Sequence, residues 1–357
     1  MTAASLYRNI IEGKAGVWAF PVRALLRVGE VFYRRAVVAR NRRFDGGAGV
    51  VSLPVPVISV GNITVGGTGK TPFVIALVER LSEMGLRPAV IARGYKAAPG
   101  QPNDEQRLIQ SRCPGVTCVC DADRLRGARL AIENFGANVI VLDDGFQHRR
   151  ITRDLDIVLI DASCPFGFGH VLPRGLLREP IEGLHRADVV VLTRCDQVDQ
   201  TDLSRVESRV RELCDQATIL KCCHRVTYVD RLDGARIDGA RGEKLAGKRA
   251  LLFAGIARPA AFRATVASLG VEVVASRWWP DHHRYRECDI QHVLDKNRWP
   301  EHEFVMTTEK DATKLANLSS ADAERVLVVK VAIDFLDDGG TMLGKILGDT
   351  LGGADAP

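Results

Sequence analysis

The chain has 357 residues, 46% hydrophobic and 26% charged, a composition of ordinary globular domains that argues against long disorder. Its length allows two or three domains of roughly 100–200 residues each. A net charge of +5 is too small to make nucleic acid the main partner, and no apolar run reaches the ~18–20 residues a membrane span requires. The nine cysteines lack zinc-ribbon spacing and read as reduced thiols.

Residues 1–45 hold nine basic side chains against three acids, more than the whole net excess, with Tyr7, Trp18, Phe20, Phe32 and Tyr33 among them. Pro21 suits the first turn of a helix, after which Val22, Leu25, Gly29, Phe32 and Ala36 share one stripe at ~100° per residue. Arg23, Arg27, Glu30 and Arg34 take the opposite side. A basic amphipathic helix of this kind can lie in the interface of an anionic bilayer. Two other readings are a helix packed on its own domain with a solvated basic face, and a transit peptide, which the three acids weaken.

Past Asp45, short β-branched runs alternate with amphipathic stretches. Strands are expected at Val55–Val60, Ala89–Ala92, Val116–Val119, Val139–Leu142, Ile157–Ile160 and Val189–Leu192. Helices are expected near Thr71–Met84, Asp123–Phe135 and Thr201–Cys214. Strands that are apolar throughout are buried on both faces, as in a parallel sheet covered by helices. Residues 218–248 read as a polar connector with two possible short strands. A second, smaller α/β set follows at 249–335, and a Gly-rich tail at 336–357 is expected to end loosely. The fold class is therefore α/β: a P-loop NTPase-like parallel-sheet core over 46–217, the connector, the smaller domain and the basic helical segment 1–45.

The run Val57–Val60 leads into Gly61-Asn62-Ile63-Thr64-Val65-Gly66-Gly67-Thr68-Gly69-Lys70-Thr71 and then a helix. This is the phosphate-loop pattern with Thr64 in place of its first glycine. Backbone amides of residues 64–71 and the helix N-terminus would hold phosphate oxygens, Lys70 would reach the β/γ-phosphates, and the Thr71 hydroxyl would ligate Mg²⁺. The apolar run 139–142 ends in Asp143-Asp144, the strand-end acid that contacts the metal or its water in such enzymes. The same acids could instead cap a turn. Gln147 and His148 are equally compatible with structural roles and with touching an acceptor.

Taken together, these segments resemble the tetraacyldisaccharide 4'-kinases (lipid A 4'-kinases). The resemblance runs through VPVISVGNITVGGTGKTP (55–72), ARGY (92–95), NDE (103–105), LDDGFQHRR (142–150) and FGFGHVLPRGLLREP (166–180). It continues in FAGIARPAAF (253–262), WPDHHRY (279–285) and TTEKDATK (307–314). It implies transfer of the γ-phosphate of ATP, with Mg²⁺, to the 4'-hydroxyl of a tetraacyl disaccharide 1-phosphate. It also implies a peripheral enzyme on the cytoplasmic face of the bacterial inner membrane, reaching its lipid through the N-terminal helix. The implied fold is two α/β domains joined by a two-stranded hinge, with nucleotide in the cleft between them. No protein partner is called for.

Asp104 aligns with the aspartate implicated in activating the acceptor hydroxyl, Asn103 replacing the usual glycine before it, and Glu105 beside it is a candidate metal ligand. His282 aligns with the second-domain histidine that supports that aspartate, while the adjacent His283 leaves open which imidazole faces inward. Arg178 and Glu179 match a segment near the cleft and are candidates for acceptor contact or a local ion pair. Lys310 and Asp311 are candidates for nucleotide binding or for a simple helix start. The competing reading is a P-loop NTPase acting as a metallochaperone or maturation switch. Against it, no compact Cys/His cluster follows the loop.

Overall fold

The computed structural model describes residues 3–94, 102–238, 244–299, 301–315 and 318–352. ARGY runs one residue past that range, and its Tyr95 lies outside the described residues. The described strands are β1 Val57–Asn62, β2 Pro88–Ala92, β3 Thr117–Cys120, β4 Val139–Asp143, β5 Leu155–Asp161 and β6 Val189–Thr193. They continue with β7 Thr218–Arg231, β8 Arg236–Asp238, β9 Arg249–Ala254, β10 Glu272–Trp278, β11 Phe304–Thr308 and β12 Val326–Phe335. All twelve belong to one sheet, ordered β10-β9-β11-β12-β7-β6-β5-β1-β4-β2-β3, with β8 added beside β7.

From β3 to the start of β7 every pairing is parallel. Every residue of β1, β2, β4, β5 and β6 is buried, as the apolar runs require when helices cover both faces. Beneath β1, the helix Lys70–Glu83 buries Phe73, Val74, Leu77, Val78 and Leu81. The order places β4 and β5 on either side of β1, so the ends of all three open onto the phosphate loop, at the edge where α/β sheets take ligands.

Within 218–248, where two short strands are possible from the sequence, Thr218–Arg231 forms one long strand and Arg236–Asp238 a short one. The beginning of β7 pairs in parallel with β6, and from Cys222 onward it pairs antiparallel with β12. One strand thus runs from the first lobe into the second while β12 returns beside it. The polar composition that masks this strand reflects its position: it is covered on only part of its length.

The tail also departs from expectation. Gly339–Leu351 is a helix whose Leu343, Leu347 and Leu351, spaced four apart, enter the same core as Phe73. Its glycines suggest looseness, yet an added Cβ at Gly344 would stand 2.9 Å from the Arg80 guanidinium, so close packing uses at least one of them.

At the N-terminus, the helix Phe20–Asp45 begins with proline in its first turn. It lies on the loop 170–179 through Gly29, against Pro173, and through Glu30, whose carboxylate meets His170 Nδ1 at 3.0 Å and the Val171 N–H at 3.1 Å. Tyr33 Oη donates to the Arg178 carbonyl (2.8 Å) and Asn41 to Glu179 (3.1 Å). Gly29 therefore belongs to the docked face and not to the free stripe, and Glu30 is not a solvated charge. The face turned outward is apolar: Leu25 is 72% and Phe32 67% exposed, with Trp18, Phe20 and Val28 beside them. Among the described residues no helix is long and apolar enough to cross a membrane.

Candidate active site

Between the lobes lies a cleft of about 690 Å³ lined by the phosphate loop, by Arg93, Glu105, Arg124, Asp143 and Arg178 from the first lobe, and by Ala257, Arg258, Asp281, His282 and Lys310 from the second. The loop's first half is held by an antiparallel bridge between Thr64 and Leu177. Val65 N–H donates to the Leu176 carbonyl and Arg178 N–H to the Ile63 carbonyl, both at 2.7 Å. That bridge explains why Thr64 serves where a glycine is usual: its backbone is extended, and only Gly66 (φ 122°) and Gly69 (φ 88°) take left-handed values. At Gly69 a side chain would also strike His224, 2.6 Å from the added Cβ.

Lys70 opens the helix behind the loop. Its Nζ donates to Asn62 Oδ1 (3.0 Å) and pairs with Asp144 Oδ1 at 3.2 Å. Asp144 has φ 55° and receives Arg178 Nη1 on both oxygens, at 2.7 and 2.8 Å. Although burial opposes it, the charges of Lys70 and Arg178 hold the Asp144 carboxyl well below the usual range. The turn can be this tight because Gly145 sits under β1 and β4, where a Cβ would meet Ser59 Oγ at 2.6 Å. Phe146 then fills the fully buried space beside Gly61.

Asp143 closes β4 and is buried. Burial first, and then the negative charge of Glu105, push its carboxyl up to about 7. Such a group gains from a cation beside it. Mg²⁺ takes one or two carboxylates and completes its shell with phosphate oxygens and water. Asp143 and Thr71 fit that requirement. The other two expected ligands also line the cleft, with Asp144 paired to Lys70 and Arg178 and Glu105 paired to Lys310 at 3.2 Å.

Asn103, in the glycine's place, caps the helix Asp104–Arg112: its Oδ1 accepts from Gln106 N–H (2.9 Å), and Gln106 Oε1 accepts from Asn103 N–H (3.2 Å). The cap fixes Asp104 and Glu105 in the first turn, at the edge of the cleft. There Asp104 Oδ2 meets His282 Nδ1 at 3.3 Å and Lys314 Nζ at 3.2 Å, both from the second lobe. Burial raises the Asp104 carboxyl, but the His282 hydrogen bond and the Lys314 charge outweigh it and bring it down to about 2. His282 takes φ 64° to face inward. His283 turns away, stacked on Trp279 and 3.2 Å from Asp289.

Several expected residues lie elsewhere. Glu179 is fully buried, its oxygens engaged by Gln147 (2.8 Å), Arg186 (2.8 Å) and Asn41 (3.1 Å); it braces the loop from behind and cannot meet an acceptor there. Gln147 joins that network and also donates to the Asn62 carbonyl at 2.9 Å. His148 does not line the cleft, and burial first, with the charge of Arg124 next, pushes its imidazole down to about 4. Asp311 is likewise fully buried, receiving Gly255 N–H (3.0 Å), Thr308 Oγ1 (2.8 Å) and Lys314 (3.0 Å). It shapes the second lobe's rim, while Lys310 reaches the cleft and pairs with Glu105 and Asp281. Sequence motifs do not single out Lys314, whose only local signal is its spacing of three from Asp311 across the turn that follows the short helix Glu309–Ala312. They also pass over Arg124, which no local pattern marks.

A parallel sheet with a phosphate loop at β1, a strand-end acid at β4 and a second lobe closing over both defines a P-loop phosphotransferase. The family model for the tetraacyldisaccharide-1-P 4'-kinase, LpxK, matches residues 22–348. The chain belongs to this family. It is 41% identical over 325 residues to the tetraacyldisaccharide 4'-kinase of Anaeromyxobacter sp. (strain Fw109-5), covering 86% of each chain. It is 41% identical over 326 residues to that of Syntrophus aciditrophicus (83% and 85% covered). Among solved structures, the "apo" form of LpxK from Aquifex aeolicus in complex with ATP matches with a TM-score of 0.70 at 28% identity, over 92% of this chain and 99% of that one.

Proposed function

We infer that Asp104 is the group that accepts the proton of the acceptor hydroxyl, within a reaction the family membership defines. The protein is an ATP-dependent kinase that phosphorylates the 4'-hydroxyl of tetraacyldisaccharide 1-phosphate to give the 1,4'-bisphosphate of lipid A biosynthesis. The observation that carries the assignment is the bracketing of Asp104 by His282 and Lys314 beside the cleft that holds Lys70. Phosphoryl transfer demands alignment and charge neutralisation more than covalent help. Asp104 is a weak base, ionised throughout the physiological range. It suits a loose transition state, in which the hydroxyl proton leaves late, after the oxygen has become acidic.

The loop amides and Lys70 bind the β- and γ-phosphates. Asp143 and Thr71 would hold Mg²⁺, which supplies positive charge against the phosphate oxygens. Arg178 lines the cleft on the acceptor side and orients Asp144. Lys310 and His282 carry the second lobe's contribution, so the assembled site exists only when the lobes are together, and water is excluded at that moment. The outward apolar face of helix Phe20–Asp45, flanked by arginines, fits a seat in the headgroup region of the inner membrane's cytoplasmic face.

Incubation with γ-labelled ATP and tetraacyldisaccharide 1-phosphate in detergent micelles tests the reading. Label in the lipid, lost in Asp104→Ala while ATP still binds, is the expected result. ATP hydrolysis without lipid labelling, stimulated by metal or a partner protein, would instead favour the maturation switch.

A further inference from the structure

On the flank of the phosphate loop opposite Asp104 stands a second interlobe contact that the reaction described above does not use. Asp161, fully buried at the end of β5, receives Arg194 Nη1 at 2.6 Å and Arg258 Nη2 at 3.2 Å, both on Oδ2. Its other oxygen, Oδ1, accepts from Ser163 N–H (3.0 Å) and Ser163 Oγ (2.6 Å). Arg194 and Ser163 belong to the same lobe as Asp161 and satisfy that carboxylate by themselves. Arg258 comes from the second lobe, just ahead of the helix Pro259–Ala267, and its charge is surplus to the pairing.

The position of that surplus charge is what matters. Both Arg258 and Ala257 line the cleft, and they lie against the middle of the phosphate loop: a Cβ at Gly67 would be 3.5 Å from Ala257 Cβ and 4.0 Å from Arg258 Cγ. The guanidinium is therefore tethered beside the amides that collect the phosphates. A carboxylate shared by two guanidiniums releases the weaker partner when a more highly charged anion arrives.

We propose that Arg258 is a nucleotide-phosphate ligand delivered by the second lobe, parked on Asp161 and transferred to the β/γ-phosphates of ATP when it binds. The proposal rests on the phosphate-loop reading of residues 64–71 and adds to it a contact from the other lobe. Arg194 stays on Asp161 and keeps that carboxylate paired after the transfer.

Calorimetric titration of the full-length protein in detergent with ATP, ADP and AMP is the test, with wild type beside Arg258→Ala and Arg258→Lys. The alanine variant is expected to weaken ATP and ADP by ~10–100-fold, the range for a charge-assisted hydrogen bond. AMP should change by less than about threefold, and lysine should recover part of the loss. Because Asp161 retains Arg194 and Ser163, the alanine variant is expected to unfold at the wild-type temperature. Unchanged ATP affinity in Arg258→Ala, or equal weakening of all three nucleotides, would overturn the proposal; the latter would assign Arg258 to lobe packing. Failure of the wild-type protein to bind ATP would instead remove the phosphate-loop reading itself.

Discussion

Asp104 and His282, 178 residues apart in sequence, meet at 3.3 Å across the boundary between the lobes. With Lys314 on the same oxygen, two side chains of the second lobe hold Asp104, the residue proposed above as the proton acceptor. Asp104→Ala is expected to lower kcat by at least ~10², the low end for a positioned acid or base, with ATP affinity within about threefold of wild type. Steady-state turnover together with nucleotide titration checks both halves, and near-normal turnover excludes Asp104 from the proton transfer.

The same contact predicts an acid-sensitive interface. The Asp104 carboxyl lies at about 2, below its ordinary 3.8. A depressed carboxylate contributes stability that is complete above the unfolded value and is lost as pH falls through the folded one. The grip of His282 and Lys314 should therefore weaken between about pH 4 and pH 2. Chemical denaturation at pH 5 and pH 3 should show a larger loss for wild type than for Asp104→Asn, which has no such charge to lose. Equal losses would mean that the pair does not couple the lobes.

The two strand-end acids should separate in metal dependence. Asp144 is already neutralised by Lys70 and Arg178, whereas Asp143 is buried at the strand end with Glu105 near it. Chelation of Mg²⁺ is expected to abolish turnover. Asp143→Asn should raise the Mg²⁺ concentration for half-maximal activity by ~10-fold or more, reflecting a lost charged ligand. Asp144→Asn should act chiefly on kcat, by freeing Lys70 and Arg178 from their common partner. A Mg²⁺ titration that moves only for Asp144→Asn would reverse the assignment.

How much of this was legible in the chain follows from the range of each contact. The phosphate loop was readable because its chemistry is contiguous: strand, glycines, lysine and helix follow one another within a dozen or so residues. The strand-end acids were readable for the same reason. Burial decisions were not. Glu179 and Asp311 sit in motifs that face the cleft, yet each side chain turns back to bind its own lobe, and nothing in their local spacing separates an acid that braces from one that touches ligand. The helix 339–351 escaped notice because its glycines mask a leucine repeat that becomes meaningful only against Phe73 and its neighbours. The pairing of Asp104 with His282 was available from family likeness alone, since no local pattern joins residues so far apart.

Glu179 gives that distinction a measurable form. It is a buried carboxylate held by Arg186, Gln147 and Asn41, and removing one partner of such a network costs about 3–5 kcal/mol. Glu179→Ala is therefore expected to destabilise the protein by that order in urea titration. Any activity retained by the folded fraction should show a near-normal KM for the lipid. A variant with wild-type stability and a strongly raised lipid KM would place Glu179 at the acceptor after all.

The N-terminal helix is linked to the phosphate loop through a short chain of contacts. Glu30 and Tyr33 hold the loop 170–179, that loop bridges Thr64 and Val65, and its Arg178 grips Asp144. The outward face carrying Leu25 and Phe32 takes no part in this docking, so it can be altered without disturbing the site. Burying one such side chain is worth ~1.5–3 kcal/mol, and a glutamate adds repulsion from anionic lipid. Leu25→Glu with Phe32→Glu should therefore reduce co-sedimentation with phosphatidylglycerol-containing vesicles by at least ~10-fold. ATP affinity and thermal unfolding should stay as in wild type, and turnover of acceptor dispersed in detergent should exceed turnover of vesicle-embedded acceptor by a similar factor. Undiminished vesicle binding would show that this face meets something other than the bilayer, while a parallel loss of ATP affinity would mean that the helix supports the phosphate loop through its outer face as well.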